Sequence, residues 1–75
     1  MWPYSKSQEE KFARIFYDIR QEPYSCFFST LYRHGYIHVG RDHLQKYVNI
    51  LKKHAMPFSV EQEDSFWYVL KIVKE

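Results

Sequence analysis

The chain has 75 residues, a net charge of +2 with its four histidines neutral, and an aromatic content of 20%. This length leaves room for one hydrophobic core, so a single domain over residues 1–75 is predicted. Cys26 is the only cysteine, which excludes an internal disulfide and favours a reducing, cytoplasmic setting. No apolar run approaches the roughly 18 residues of a membrane span. Two glycines are too few for a nucleotide-binding loop, and no cofactor is expected.

The first predicted helix begins at Ser7, because Ser7 and Glu10 have the spacing of a capping box. Tyr17 lies beside its apolar stripe and is expected to be partly buried. Pro23 disfavours helical geometry at the residue before it, so the helix is predicted to end by about Gln21. The stripe itself follows helical spacing: Phe12, Ile15, Phe16 and Ile19.

A second helix is predicted over Ser25–His34. Ser25 is the expected N-cap, and Gly35 is expected to take the left-handed conformation that ends the helix. The apolar stripe of this helix consists of Phe27, Phe28, Leu31 and Tyr32.

A short strand is predicted over residues 36–39, with Gly40 at its end. Its side chains should alternate, with Ile37 and Val39 on one face and the other two on the opposite face. A third helix is predicted over Arg41–Ala55, before Pro57. Its apolar residues recur with the period of a helix that has one buried face: Leu44, Tyr47, Val48 and Leu51.

Residues 58–62 and 66–73 are predicted to form a hairpin. A three-residue loop at 63–65 would place Val60 opposite Tyr68 and Phe58 opposite Leu70, which collects the apolar residues on one face. The last strand is apolar on both faces, and such a strand is usually central. Its second face is therefore covered by Trp2 or the first helix, or it meets a partner.

The predicted fold is α+β, with three helices and a small three-stranded mixed sheet in the order ααβαββ. The mixed sheet follows from the strand–helix–strand step, which should be a right-handed crossover between parallel strands. The third helix should cover one face of the sheet. The N-terminal helices should pack at the edge or on the second face.

The favoured function is that of a small non-enzymatic module, a regulator or inhibitor that docks on a larger protein. Exposed aromatic residues are typical of such interfaces. A homodimer that covers the same surface is a further possibility. The predicted docking residues lie on the second sheet face and its flank: Tyr36, His38, Trp67, Val69 and Lys71.

The alternative function is nucleic-acid binding, in which cations of the third helix contact phosphates. The segment Leu51–Phe58 resembles the passage from recognition helix to wing in winged-helix regulators, and this resemblance implies the same function. A helix-turn-helix, however, joins two helices by a turn, whereas a strand is predicted before this helix. The candidate contacts are Arg41, Lys46, Lys52 and Lys53.

A third hypothesis is a ribonuclease-like enzyme, because histidine, tyrosine and arginine supply the acid, base and cation of that chemistry. No acidic residue is placed by the sequence to orient an imidazole, and catalysis is not expected. The histidines and Cys26 lack the paired close spacing of a zinc site, so no metal is expected. The cluster consists of Arg33, His34, Tyr36, His38, Arg41 and His43.

Overall fold

The structure, a computed structural model, describes residues 4–75. It has the expected α+β composition and element order, while Trp2 lies outside the described residues. Within the described chain, no helix has both the length and the apolar character needed to cross a membrane. The elements are α1 (Lys6–Asp18), α2 (Ser25–His34), β1 (Tyr36–Gly40), α3 (Arg41–Lys53), β2 (Phe58–Gln62) and β3 (Trp67–Ile72).

Helix α1 begins two residues earlier than predicted, with Ser5 as its N-cap. Ser5 Oγ accepts a hydrogen bond from the Gln8 backbone N–H (3.1 Å), and Gln8 Oε1 accepts one from the Ser5 N–H (3.3 Å). The predicted box of Ser7 and Glu10 has the same spacing and was wrong. The observed pair also serves the tertiary structure, because the fully buried Gln8 donates from Nε2 to the Val73 carbonyl (2.8 Å).

The C-terminal end of α1 lies at Asp18, about three residues before the predicted end at Gln21. Ile19 caps the helix through its N–H, and the chain then turns through a hydrogen bond from the Glu22 N–H to the Ile19 carbonyl (2.9 Å). Tyr17 is 66% exposed, so its predicted partial burial was wrong. The buried stripe runs along the opposite side of this helix.

Helix α2 has the predicted bounds but a different N-cap. Tyr24 occupies the cap position without a side-chain hydrogen bond, and Ser25 is the first helical residue. Gly35 ends the helix in the left-handed conformation (φ 81°), as predicted. Phe27 belongs to the predicted stripe but is exposed, since it lies at the margin of the face that α2 turns to the core.

Helix α3 ends at Lys53, two residues before the predicted end at Ala55. His54 caps it through a hydrogen bond from its N–H to the Ile50 carbonyl (3.3 Å), and Ala55 has a positive φ of 56°. The chain therefore leaves the helix before Pro57. Two residues of the apolar stripe that predicted this helix, Tyr47 and Leu51, are buried.

The sheet is antiparallel throughout, with strand order β1-β3-β2, so the predicted mixed sheet was wrong. Strands β1 and β2 do run in the same direction, because each is antiparallel to β3, but they are not neighbours. Strand β3 is inserted between them. Its central position agrees with its apolar character on both faces.

The hairpin pairs two residues further along β3 than predicted, with Val60 opposite Leu70 and Phe58 opposite Ile72. Because side chains alternate with a period of two, this shift leaves every paired residue on its predicted face. The cause lies in the loop, where Asp64 Oδ1 accepts hydrogen bonds from two successive backbone N–H groups (2.8 Å each). Phe66 donates one of them and lies in the loop, because β3 begins at Trp67.

One core joins the three helices to one face of the sheet. The described chain places no helix on the other face, where the N-terminal helices were an expected cover; α1 packs on α2 instead. Among the described residues, no helix therefore covers the second face of β3. The buried residues of the core are Phe12, Ile15, Ile19, Phe28, Leu31, Ile37, Val39, Tyr47, Leu51, Met56 and Leu70.

Candidate docking surface

The sheet register brings all five predicted docking residues to the face that no described helix covers. Strand β1 contributes two of them, and the central strand β3 contributes three. Across the two strands, Tyr36 is opposite Lys71 and His38 is opposite Val69. Trp67 is opposite Gly40, which has no side chain to cover the indole. We call this set the open face: Tyr36, His38, Trp67, Val69 and Lys71.

The aromatic residues of the open face are accessible, whereas its aliphatic residue is not. Tyr36 is 46% exposed and Trp67 is 45% exposed, but Val69 is only 8% exposed. Val69 lies between His38 of β1 and Glu61 of β2, which are its cross-strand neighbours. Val69 was predicted to contact a partner directly, and its burial corrects this prediction. Its side chain lies beneath those of the accessible residues of the open face.

The basic side chains of the open face are paired with carboxylates from β2 and the hairpin loop. His38 Nδ1 lies 2.9 Å from Glu63 Oε1, and Lys71 Nζ lies 3.6 Å from Glu61 Oε2. Glu63 is the acidic partner that the sequence did not place beside the histidines. Only the hairpin brings it there, because it is 25 residues from His38 along the chain.

The hairpin loop holds Trp67 in place. The two backbone N–H groups that donate to Asp64, those of Trp67 and Phe66, lower the pKa of its carboxyl group below the usual 3.8. The Trp67 ring packs edge-to-face on that of Phe66, with centroids 5.2 Å apart. The exposed indole thus projects from an anchored turn, and this limits the entropy that a partner would remove on contact.

A groove of about 520 Å³ adjoins the open face along β1. We call it the edge groove. One wall is the start of α2, with Tyr24 and Phe27; the other is α3, with His43 and Lys46. Residues 37–40 of β1 line it as well, and Phe66 and Trp67 of the hairpin contribute to it.

A second groove of about 340 Å³ continues along β1 toward Tyr36 and His34. It shares Phe27, Ile37 and His38 with the edge groove. Phe27 is 52% exposed between the two. Sequence reasoning missed Phe27 because its spacing assigned it to the buried stripe of α2; its place at the margin of that stripe was the available signal.

The four cations of α3 that were predicted to contact nucleic acid are all exposed. These cations do not form one stripe. With about 3.6 residues per turn, α3 carries Arg41 and Lys52 on one side and Lys46 and Lys53 on another. Lys46 Nζ lies 4.6 Å from the centroid of the Tyr24 ring. The short turn of a helix-turn-helix is replaced by β1, which separates α2 from α3.

Lys53 of this set is engaged by the carboxylate of Asp18. Its Nζ lies 3.1 Å from Asp18 Oδ2, and His54 Nε2 lies 2.7 Å from the same oxygen. Two hydrogen bonds lower the pKa of the Asp18 carboxyl group: the one from Lys53 has the larger effect, and the one from His54 adds to it. This arrangement joins the C-terminal ends of α1 and α3, and it gives Lys53 a structural contact.

The ribonuclease-like cluster is only partly assembled. The Tyr36 and His38 rings are 6.0 Å apart, and the His34 and Tyr36 rings are 6.4 Å apart. His43 lines the edge groove together with His38. Among the residues that the structure describes, no group of three or more His, Cys, Asp or Glu side chains could hold a metal ion.

Comparisons of the chain with protein-family models, with curated proteins and with solved structures found no match.

Proposed function

We propose that this protein is a non-enzymatic protein-binding module, a regulator or inhibitor that docks on a larger protein through its open face. The observation that carries the proposal is the half-exposure of Tyr36 and Trp67 on a sheet face that no described helix covers. Tyrosine and tryptophan are enriched at interfaces, and buried aromatic anchors contribute most of the binding energy there.

The charge pattern of the open face favours a protein over a nucleic acid as its partner. Phosphate binding requires cations that are free to replace counterions. Here His38 and Lys71 each have a carboxylate partner, Glu63 and Glu61 respectively. The face therefore presents aromatic rings among paired polar side chains, which is the pattern of an apolar centre with a polar rim.

The test is a capture experiment on lysate of the native host with three immobilised proteins: the wild type, Trp67→Ala, and Tyr17→Ala as a matched control. Tyr17 is an exposed aromatic residue of α1, outside the open face. We expect the wild type and Tyr17→Ala to retain the same protein and Trp67→Ala to lose it. With the purified partner, Trp67→Ala should weaken the Kd by about 30-fold, which corresponds to a hot spot of about 2 kcal/mol.

Circular dichroism first establishes that all three proteins are folded. Equal capture by Trp67→Ala would contradict the proposal. Capture that disappears after nuclease treatment of the lysate would favour nucleic-acid binding instead.

The ribonuclease-like function is a second candidate, favoured by one specific contact. Glu63 Oε1 lies 2.9 Å from Nδ1 of His38, which places a carboxylate to orient the imidazole as acid–base chemistry requires. The test is incubation of the protein with end-labelled RNA. Cleavage that His38→Ala abolishes would establish this activity and contradict the non-enzymatic proposal, whereas intact RNA is the result that we expect.

A further inference from the structure

Strand β1 is an edge strand whose outer main-chain groups face away from the sheet. The Ile72 N–H donates to the Gly35 carbonyl (2.9 Å), and the Arg41 N–H donates to the Phe66 carbonyl (2.7 Å). Hydrogen-bonded positions alternate in an antiparallel ladder, so residues 35, 37, 39 and 41 turn their polar groups toward β3. The main-chain groups of Tyr36 and His38 therefore point outward.

The edge groove lies along this outer side of β1. It is lined by Ile37, His38, Val39 and Gly40 and by aromatic residues of α2, α3 and the hairpin. An extended segment that adds to a sheet edge obtains affinity from main-chain hydrogen bonds and specificity from pockets for alternate side chains. The second groove extends the same channel toward Tyr36. Strand β1 thus offers both outward main-chain groups for hydrogen bonds and adjoining pockets for side chains.

The charges of the edge groove indicate the chemistry of its occupant. Among the described residues that line it, the side chains with basic nitrogens are His38, His43 and Lys46, and none of these lining residues is a carboxylate. Glu63 is paired with His38, which leaves His43 and Lys46 to meet a ligand. An acidic segment is complementary to this lining.

A second copy of the chain is a poorer occupant. In the antiparallel pairing that overlaps all five residues of β1, His38 lies opposite its own copy, and the two basic grooves face each other. Such a pairing brings no carboxylate to Lys46 from the described lining of the other groove.

We infer that β1 binds an extended acidic peptide segment of the partner as an added strand, with a large apolar side chain in the edge groove. This inference rests on the proposed function, because it names the segment through which a partner protein would dock. The carboxylates of the segment contact His43 and Lys46, and its main chain pairs with Tyr36 and His38.

The test uses fluorescence anisotropy with a fluorescein-labelled peptide, Glu-Phe-Glu-Ile-Glu, and its counterpart Lys-Phe-Lys-Ile-Lys. We expect the acidic peptide to bind at least ten-fold more tightly. Lys46→Glu and the neutral variant Lys46→Gln should each weaken binding by ten-fold or more. Lys52→Glu, on α3 but outside the groove, should leave the Kd unchanged. Equal binding of the two peptides, or no binding of either, would overturn the inference.

Strand addition is tested by N-methylation of the acidic peptide. Only one of the two alternate sets of peptide N–H groups can face β1, so methylation of that set should abolish binding while methylation of the other set should not. Equal effects of the two sets would overturn strand addition. Sedimentation should show a monomer at the concentrations used, and a dimer disrupted by the acidic peptide would assign β1 to a second copy instead. If the peptide fails while Trp67-dependent capture persists, the proposed function stands without this inference.

Discussion

The ring of Phe66 lies against the Cα atom of Gly40, so that a Cβ atom added at Gly40 would be 2.7 Å from Cε2 of the ring. This contact closes the hairpin loop onto the start of α3, where the Arg41 N–H also donates to the Phe66 carbonyl (2.7 Å). Both Gly40 and Phe66 line the edge groove. The same packing thus shapes the groove and joins the hairpin to the helix.

We predict that the effect of Gly40→Ala depends on Phe66. The backbone of Gly40 (φ −74°, ψ 153°) suits alanine, and such a replacement stabilises a protein by about 0.4–1 kcal/mol through the unfolded state. In the wild type the Phe66 ring must move first, which offsets this gain. In a Phe66→Ala background the gain should appear in the free energy of unfolding by urea. The same effect in both backgrounds would refute the steric coupling.

Gln8→Leu should destabilise the protein by about 1–3 kcal/mol, because it removes the hydrogen bonds through which the buried Gln8 side chain joins the start of α1 to the C-terminal segment. The buried Gln8 side chain donates to the Val73 carbonyl (2.8 Å) and accepts from the Glu75 N–H (3.4 Å). The control is Gln45→Leu on the exposed face of α3, which should change the free energy of unfolding by about 0.5 kcal/mol or less. Urea unfolding measures both, and equal effects would contradict a structural role for Gln8.

Stability should decrease as the pH is lowered through the acidic range. The pKa of Asp18 is lowered by Lys53 and His54, that of Asp64 by the Trp67 and Phe66 N–H groups, and that of Glu75 mainly by Lys11. The folded state therefore binds fewer protons than the unfolded state, so this stabilisation is present above the usual values of 3.8 and 4.5. It is lost as the pH falls through the lower pKa values of the folded state.

Thermal unfolding between pH 7 and pH 2 measures this loss. Asp18→Asn should reduce the change in Tm across that range, because one of the three carboxylates no longer contributes to it. An unchanged pH dependence in this variant would show that its ion pairs with Lys53 and His54 do not stabilise the fold.

Nucleic acid should bind weakly, if at all. The experiment is a titration of the protein with mixed DNA and RNA at two salt concentrations, for the wild type and the double variant Lys52→Glu/Lys53→Glu. We expect little binding even at low salt, because the cations of α3 are divided between two sides of the helix and Lys53 is paired with Asp18. Tight binding that falls steeply with salt and is lost in the double variant would favour the alternative function of α3.

Local signals predicted the elements well, and the errors arose where two local choices were equivalent. The bounds of α2 and its end at Gly35 followed from nearby residues alone. The capping boxes at Ser5 and Ser7 have the same spacing, and only the burial of Gln8 against Val73 distinguishes them. The N-cap of α2 and the C-terminal ends of α1 and α3 differ from the predicted positions by one to three residues. Several neighbouring residues satisfy the local signals for a helix boundary, and tertiary contacts select among them.

The candidate site was predicted as a set of residues but not as a surface. Alternation along β1 and β3 placed Tyr36, His38 and Trp67 on one face. The burial of Val69 and the pairing of His38 with Glu63 depend on cross-strand neighbours and could not be read from alternation. The edge groove also escaped prediction, because it is formed by α2, α3 and the hairpin together.

The sequence by itself determined the number and type of the elements, the face on which each strand residue lies, and the apolar character of β3 on both sides. These properties follow from periodicity, which is local. Only the tertiary structure decided that β3 lies between β1 and β2, that the hairpin register shifts by two residues, and that no helix of the described chain covers one face of the sheet. Each of these depends on contacts between residues far apart in the chain, and several pairings satisfy the same local pattern.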